Sequence, residues 1–137
     1  MTKRESILQY IVTALGAVSS VTGVYRSRED ALAREEAPAL VVRPVREEPR
    51  PLVHAYLEKD LVVSVSIYTR GGAPDQTADP ICEQVYALLL GNPTMGGLAI
   101  DTTDDGTTWE LEEADATACW TELQLKVWYR HPLASLS

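Results

Sequence analysis

Residues 60–68 read DLVVSVSIY, and residues 122–130 read ELQLKVWYR. In the first stretch Leu61, Val63, Val65 and Ile67 alternate with Val62, Ser64, Ser66 and Tyr68. In the second, Leu123, Leu125, Val127 and Tyr129 alternate with Glu122, Gln124, Lys126, Trp128 and Arg130. Successive strand side chains point to opposite faces, so a period of two marks a strand with one apolar face. Both stripes are expected to face a helical layer.

Two helices supply that layer. Thr2 followed by Glu5 has the spacing of a capping box, and Ile7, Ile11, Leu15 and Val18 recur on one helical face, which predicts a helix over Lys3 to Ser19. Asp79 then Pro80 predicts an N-cap and first turn, with Ile81, Val85, Leu88 and Leu89 as the buried stripe and Gly91 as the stop. Between the helices, Val21 to Arg26 is short and β-prone, Ser27 to Glu36 reads as a loop or short helical turn, and Ala39 to Arg43 reads as a strand bounded by Pro38 and Pro44. The charged, proline-containing stretch Val45 to Tyr56 is expected to form an exposed arm or long hairpin tip. Leu98 to Thr102 and Thr107 to Glu112 flank Asp104, Asp105 and Gly106, where Asp-Gly signals a hairpin turn. Helix, strands, helix, strands describes an α+β fold of one domain: a two-layer sandwich with a mixed or antiparallel sheet and both helices on one face.

A chain of 137 residues can bury roughly two thirds of its extended surface, enough for a core without a metal or disulfide. No apolar run approaches the ~18 residues of a membrane span, and Met1 to Ser6 is not followed by a cleavable leader, so a cytoplasmic site of synthesis and residence is expected. Cys82 and Cys119 lack any C-x-x-C spacing and are expected to be reduced core thiols. The formal net charge of −8 is uneven. Up to Arg70 there are ten Lys and Arg against nine Asp and Glu, and from Gly71 onward two against eleven. Binding of phosphates by a basic patch is therefore disfavoured, although a surface past which DNA slides is not.

Residues that could carry chemistry are few. His54 and His131 have no cysteine or carboxylate at ligand spacing and are expected to be solvent-exposed. There is no G-x-S-x-G elbow and no phosphate loop, and the Gly71-Gly72 and Gly96-Gly97 pairs fit turns. Asp101, Asp104, Asp105, Glu110, Glu112, Glu113 and Asp115 fall within fifteen residues that hold no Lys or Arg. Glu110 and Glu112 share a strand face, the minimum for a paired-carboxylate or metal site, but the alternation of oxygen ligands typical of a calcium loop is missing. A solvated acidic hairpin that repels phosphate is the simpler expectation, and neither an enzyme nor a cofactor is expected. Trp120 and Trp128 fall on the polar face of the last strand, where a second subunit or a covering loop would shelter them.

The order and spacing of these elements resemble the tail terminator family of long-tailed bacteriophages, also called tail-completion or minor tail proteins. The similarity runs through the N-terminal helix with Arg4, Ile7 and Leu15, then Val21 to Tyr25, then the Glu36, Ala37, Pro38, Ala39, Leu40, Val41 strand entry. It continues through the alternating central strand, Leu88 and Leu89 of the second helix, the turn from Asn92 to Leu98 and the closing strand ending at Tyr129. The resemblance implies a small α/β fold and a homohexameric ring in the virion, at the head-proximal end of the tail. Such a ring stops polymerisation of the tail tube, contacts the tube protein and offers a joining face to a neck or head-completion protein. On that basis Trp120, Trp128, Arg46 and Arg50 are candidate subunit or partner contacts. Asp101, Asp104, Asp105, Glu112 and Glu113 are candidates for a lumen through which DNA passes without specific binding. A neck connector of the same virion, or a small cytoplasmic enzyme or ligand-binding domain, are the alternatives.

Overall fold

In a computed structural model, which describes residues 1–28, 31–52, 55–113 and 117–137, the expected α+β sandwich is present. Helix α1 spans Lys3–Leu15 and helix α2 Pro74–Leu89; the strands are β1 (Gly23–Arg26), β2 (Ala39–Pro49), β3 (Tyr56–Arg70), β4 (Asp101–Glu113) and β5 (Thr117–Pro132). The sheet order is β1-β2-β3-β5-β4. Only the β1–β2 pair is parallel; every other neighbour pair is antiparallel. No helix among the described residues is long and apolar enough to cross a membrane.

The two apolar stripes meet the helices as their periodicity predicts. Leu61, Val63, Val65 and Ile67 of β3, with Leu123, Leu125, Val127 and Tyr129 of β5, form one buried cluster with Ile7, Ile11 and Leu15 of α1 and Ile81, Val85 and Leu89 of α2. Each such side chain contributes about 1.5–3 kcal/mol by leaving water. Leu88, expected in the stripe, is only half-buried at its margin. The polar face of β3 is also largely covered: Tyr68 packs with Leu32, Ala39, Val41 and Ala118 in a second, smaller cluster. The segment between β1 and β2 thus shelters one end of the face that lacks helices.

Several boundaries differ from expectation, each for a local reason. The Thr2 hydroxyl accepts from Glu5 N at 3.2 Å, as a cap should, but α1 stops at Leu15 and not at Ser19. Past it, Ala17 N and Val18 N donate to carbonyls three residues back, the tightened turn common at helix ends. Helix α2 begins at Pro74, not at Asp79, so Pro80 lies inside it. Pro80 is on the exposed side, where the carbonyl its ring leaves without a donor can turn to water.

The expected arm is mostly strand. β2 runs through Pro44 to Pro49 with an irregularity at Val45, and Arg46, Glu47, Glu48 and Pro49 pair with Val62, Leu61, Asp60 and Lys59. Pro44 does not stop β2 because β1 pairs only as far as Val42; beyond that β2 is an edge strand, where a missing N–H costs no ladder bond. Of the expected arm, residues 50–52 and 55 are described outside the strands, and His54 lies outside the described residues. Likewise Asp105-Gly106 is not a hairpin turn. β4 is continuous, Asp104 pairs with Leu125 and Thr107 with Leu123, so Asp105 and Gly106 form a bulge, with Gly106 at φ +111°. Such a bulge takes an Asp-Gly pair for the same reason a turn does, the access of glycine to positive φ. β4 ends instead at Glu113 and its antiparallel partner β5 begins at Thr117; Asp115 lies outside the described residues.

Candidate interaction surface

Register places the charged and aromatic candidates. Trp128 pairs with Asp60 on one side and Asp101 on the other, Trp120 with Tyr68 and Glu110, and Glu122 with Ser66 and Thr108. Paired residues in a ladder share a face, so Trp120, Trp128, Asp101, Glu110 and Glu112 all lie on the side of the sheet away from the helices. Arg46 joins them through its pairing with Val62. Arg50, just past β2, stacks over Trp128 with its guanidinium 4.0 Å from the ring centroid. The four candidate contact residues therefore share one face.

That face is laced with ion pairs. Arg43 meets the Glu122 carboxylate at 3.1 Å, to which Ser64 and Gln124 also donate at 3.0 and 2.9 Å. Arg50 donates to Asp60 at 2.9 Å. Glu58 accepts from Arg130 at 2.5 Å and from the Trp128 indole at 3.2 Å, and the Arg130 guanidinium, with the Trp128 N–H adding to it, holds the Glu58 carboxyl below its ordinary range. Both tryptophans are half-buried by their own chain: Trp128 under Arg50, Trp120 against Tyr68 at 4.7 Å between ring centroids. Beside Trp120, a cavity of ≈ 330 Å³ is bordered by Arg28, Arg43, Glu110, Glu112 and Glu122.

The acidic candidates divide. Asp105 sits 3.6 Å from both Arg46 and Lys126, so its charge is compensated. Asp104 and Glu113 have the opposite parity and lie on the helix side, where Asp104 accepts from the Tyr86 hydroxyl at 3.1 Å. Asp101 accepts from the N–H of Thr102 at 2.9 Å. Glu112 is exposed on the face of the tryptophans, so the candidate lumen and contact residues are not on separate surfaces.

The burial of His131 differs from expectation. His131 is 2% exposed; β5 extends to Pro132 and sets His131 opposite Leu57, with Nδ1 2.8 Å from the Ser135 carbonyl. Trp109 and Leu111 are 62% and 63% exposed. Thr107, Trp109 and Leu111 do alternate with Thr108, Glu110 and Glu112, a pattern that signals a buried stripe. It goes uncovered because β4 is an edge strand: α2 meets it through Tyr86 at Asp104 and Thr107 and, beside Trp109, offers only the polar or exposed Asp75, Gln76, Asp79 and Pro80.

Cys82 and Cys119 are both free, Cys119 buried and Cys82 half-buried. Among the described residues no three His, Cys, Asp or Glu side chains gather as a metal site requires. No family model matches the chain, and no curated protein matches it.

Proposed function

We propose that this chain is a structural virion protein of a long-tailed bacteriophage, a ring-forming tail terminator and not an enzyme. The observation that carries this reading is the helix-free sheet face on which Trp120, Trp128, Arg46 and Arg50 converge. Aromatic rings and arginines set among compensated charges are the composition of protein contact surfaces. The resemblance in element order supplies the assembly: a homohexamer on the head-proximal end of the tail tube. The end of the face at Trp128 and Arg50 contacts the tube or neck protein. Its exposed acids, Glu110 and Glu112 above all, turn towards the opening and keep passing DNA from adhering to the wall.

Purified protein mixed with tail tubes and imaged by negative stain tests the proposal. Rings on one end of each tube, with tube growth halted on addition of fresh tube protein, are the expected result. Rings on isolated heads and not on tubes would favour the neck-connector role, and a chain that touches neither tubes nor heads would overturn the virion reading.

A further inference from the structure

The outer edge of β4 combines an open backbone edge with exposed apolar side chains. Among the described residues β4 pairs with β5 alone, so alternate backbone N–H and C=O groups along its other side have no strand partner there, a template for strand addition. On the helix side of this edge Trp109 and Leu111 stand 62% and 63% exposed, and Trp109 borders a cavity of ≈ 390 Å³ with Asp75, Gln76, Asp79 and Pro80. Single exposed apolar residues need no explanation, but a tryptophan and a leucine adjacent on one face of an open edge do.

Charge selects the occupant. From Gly71 to Leu125 the sequence contains no Lys or Arg, and Glu110, Glu112 and Glu113 flank the apolar pair while Asp75 and Asp79 face it from α2. A second copy pairing through its own β4 would bring these carboxylates against one another, a destabilising arrangement. A head-to-tail partner of the same sequence would offer few unpaired cations among the described residues. Apart from Lys3, Arg34 and Arg70, every described Lys and Arg already has a carboxylate of the same chain within ion-pair distance.

We infer that the free edge of β4 receives an extended, Lys- or Arg-rich segment of a different protein, added as a further strand with an apolar side chain seated on Trp109 and Leu111. The backbone edge supplies affinity, the apolar pair fixes register and the surrounding acids select a cationic strand. This goes beyond the tail-capping reading and does not depend on it.

The test uses the full chain and a short synthetic peptide of alternating Lys and Val, read by backbone amide shifts and Trp fluorescence. The Lys-Val peptide is expected to shift the amides of β4, with binding that weakens as salt rises. Trp109→Ser should weaken it more than tenfold, and a peptide whose alternate amides are N-methylated should not bind. A Glu-Val peptide should not bind either. Equal binding by the N-methylated peptide would overturn strand addition without relying on any variant. Shifts confined to another surface, or Trp109-dependent dimerisation of the chain alone, would overturn the choice of partner. Capping of tail tubes is measured separately, so either idea can fail while the other stands.

Discussion

The guanidinium of Arg50 lies 4.0 Å above the ring of Trp128 while its Nε donates to Asp60 at 2.9 Å. One arginine at the tip of the β2–β3 hairpin thus covers an aromatic on β5 and is held there by the strand opposite it. Arg50→Ala is expected to expose Trp128, red-shifting its emission, and to cost about 0.5–1 kcal/mol in urea denaturation. Unchanged emission would mean that the stack contributes no cover in solution.

Core truncation should separate the two leucines at the end of α2. Leu89 is 0% exposed within the main cluster, so Leu89→Ala should cost about 2–5 kcal/mol through lost transfer energy and a residual cavity. Leu88 is half-buried at the margin, and its truncation should cost clearly less. Midpoints of chemical denaturation compare them directly.

Gly106 holds φ +111° inside the β4 bulge, and a Cβ built there would meet nothing within 4 Å. Gly106→Ala should therefore destabilise through backbone strain alone, by about 1 kcal/mol or more. The loss should appear as a lower melting temperature with the strand content in circular dichroism unchanged.

The Arg28 guanidinium, with the Ala33 N–H and then the Tyr25 hydroxyl, holds the Glu36 carboxyl down to about 2. A carboxylate lowered in the folded state adds stability that is complete above its unfolded value of about 4.3 and is lost as pH falls through the folded value. Glu36→Gln should thus be less stable than the parent at neutral pH, with the gap closing between pH ~4 and ~2. Denaturation midpoints across that range read the sign; a gap that widens in acid would refute the assignment.

Lysine substitution tests the acidic face best at Glu110 and Glu112, which are exposed and outside every ion pair described. Asp105→Lys would instead place a third cation between Arg46 and Lys126 and disturb the fold. Glu110→Lys with Glu112→Lys should leave the melting temperature nearly unchanged and, if the chain forms the proposed ring, give that ring an affinity for DNA that falls steeply with salt. Under the proposed virion role, ejection slowed in particles carrying the variant, with tails of normal length, is the expected outcome; unaltered ejection would remove the proposed lumen role.

The sequence by itself determined the strands at Leu61 and Leu123, the helical faces of Ile7 and Val85, and the layer they form together. Side-chain periodicity is a local property, and burying those stripes requires them to meet. It also determined that Trp120 and Trp128 share a strand face, since both have the same parity in one strand. Only the tertiary structure decided that Asp-Gly at 105–106 would bulge within a strand, because turn and bulge call for the same glycine conformation and differ in which residues pair across the ladder. The insertion of β5 between β3 and β4 was equally out of local reach. That order sets Arg43 against Glu122, puts Glu110 and Glu112 on the face of the tryptophans, and leaves Trp109 and Leu111 on an open edge. Which face a residue shares is written in its near neighbours, but what lies opposite it depends on strand pairings between segments far apart in the chain, fixed only when the whole sheet closes over its helices.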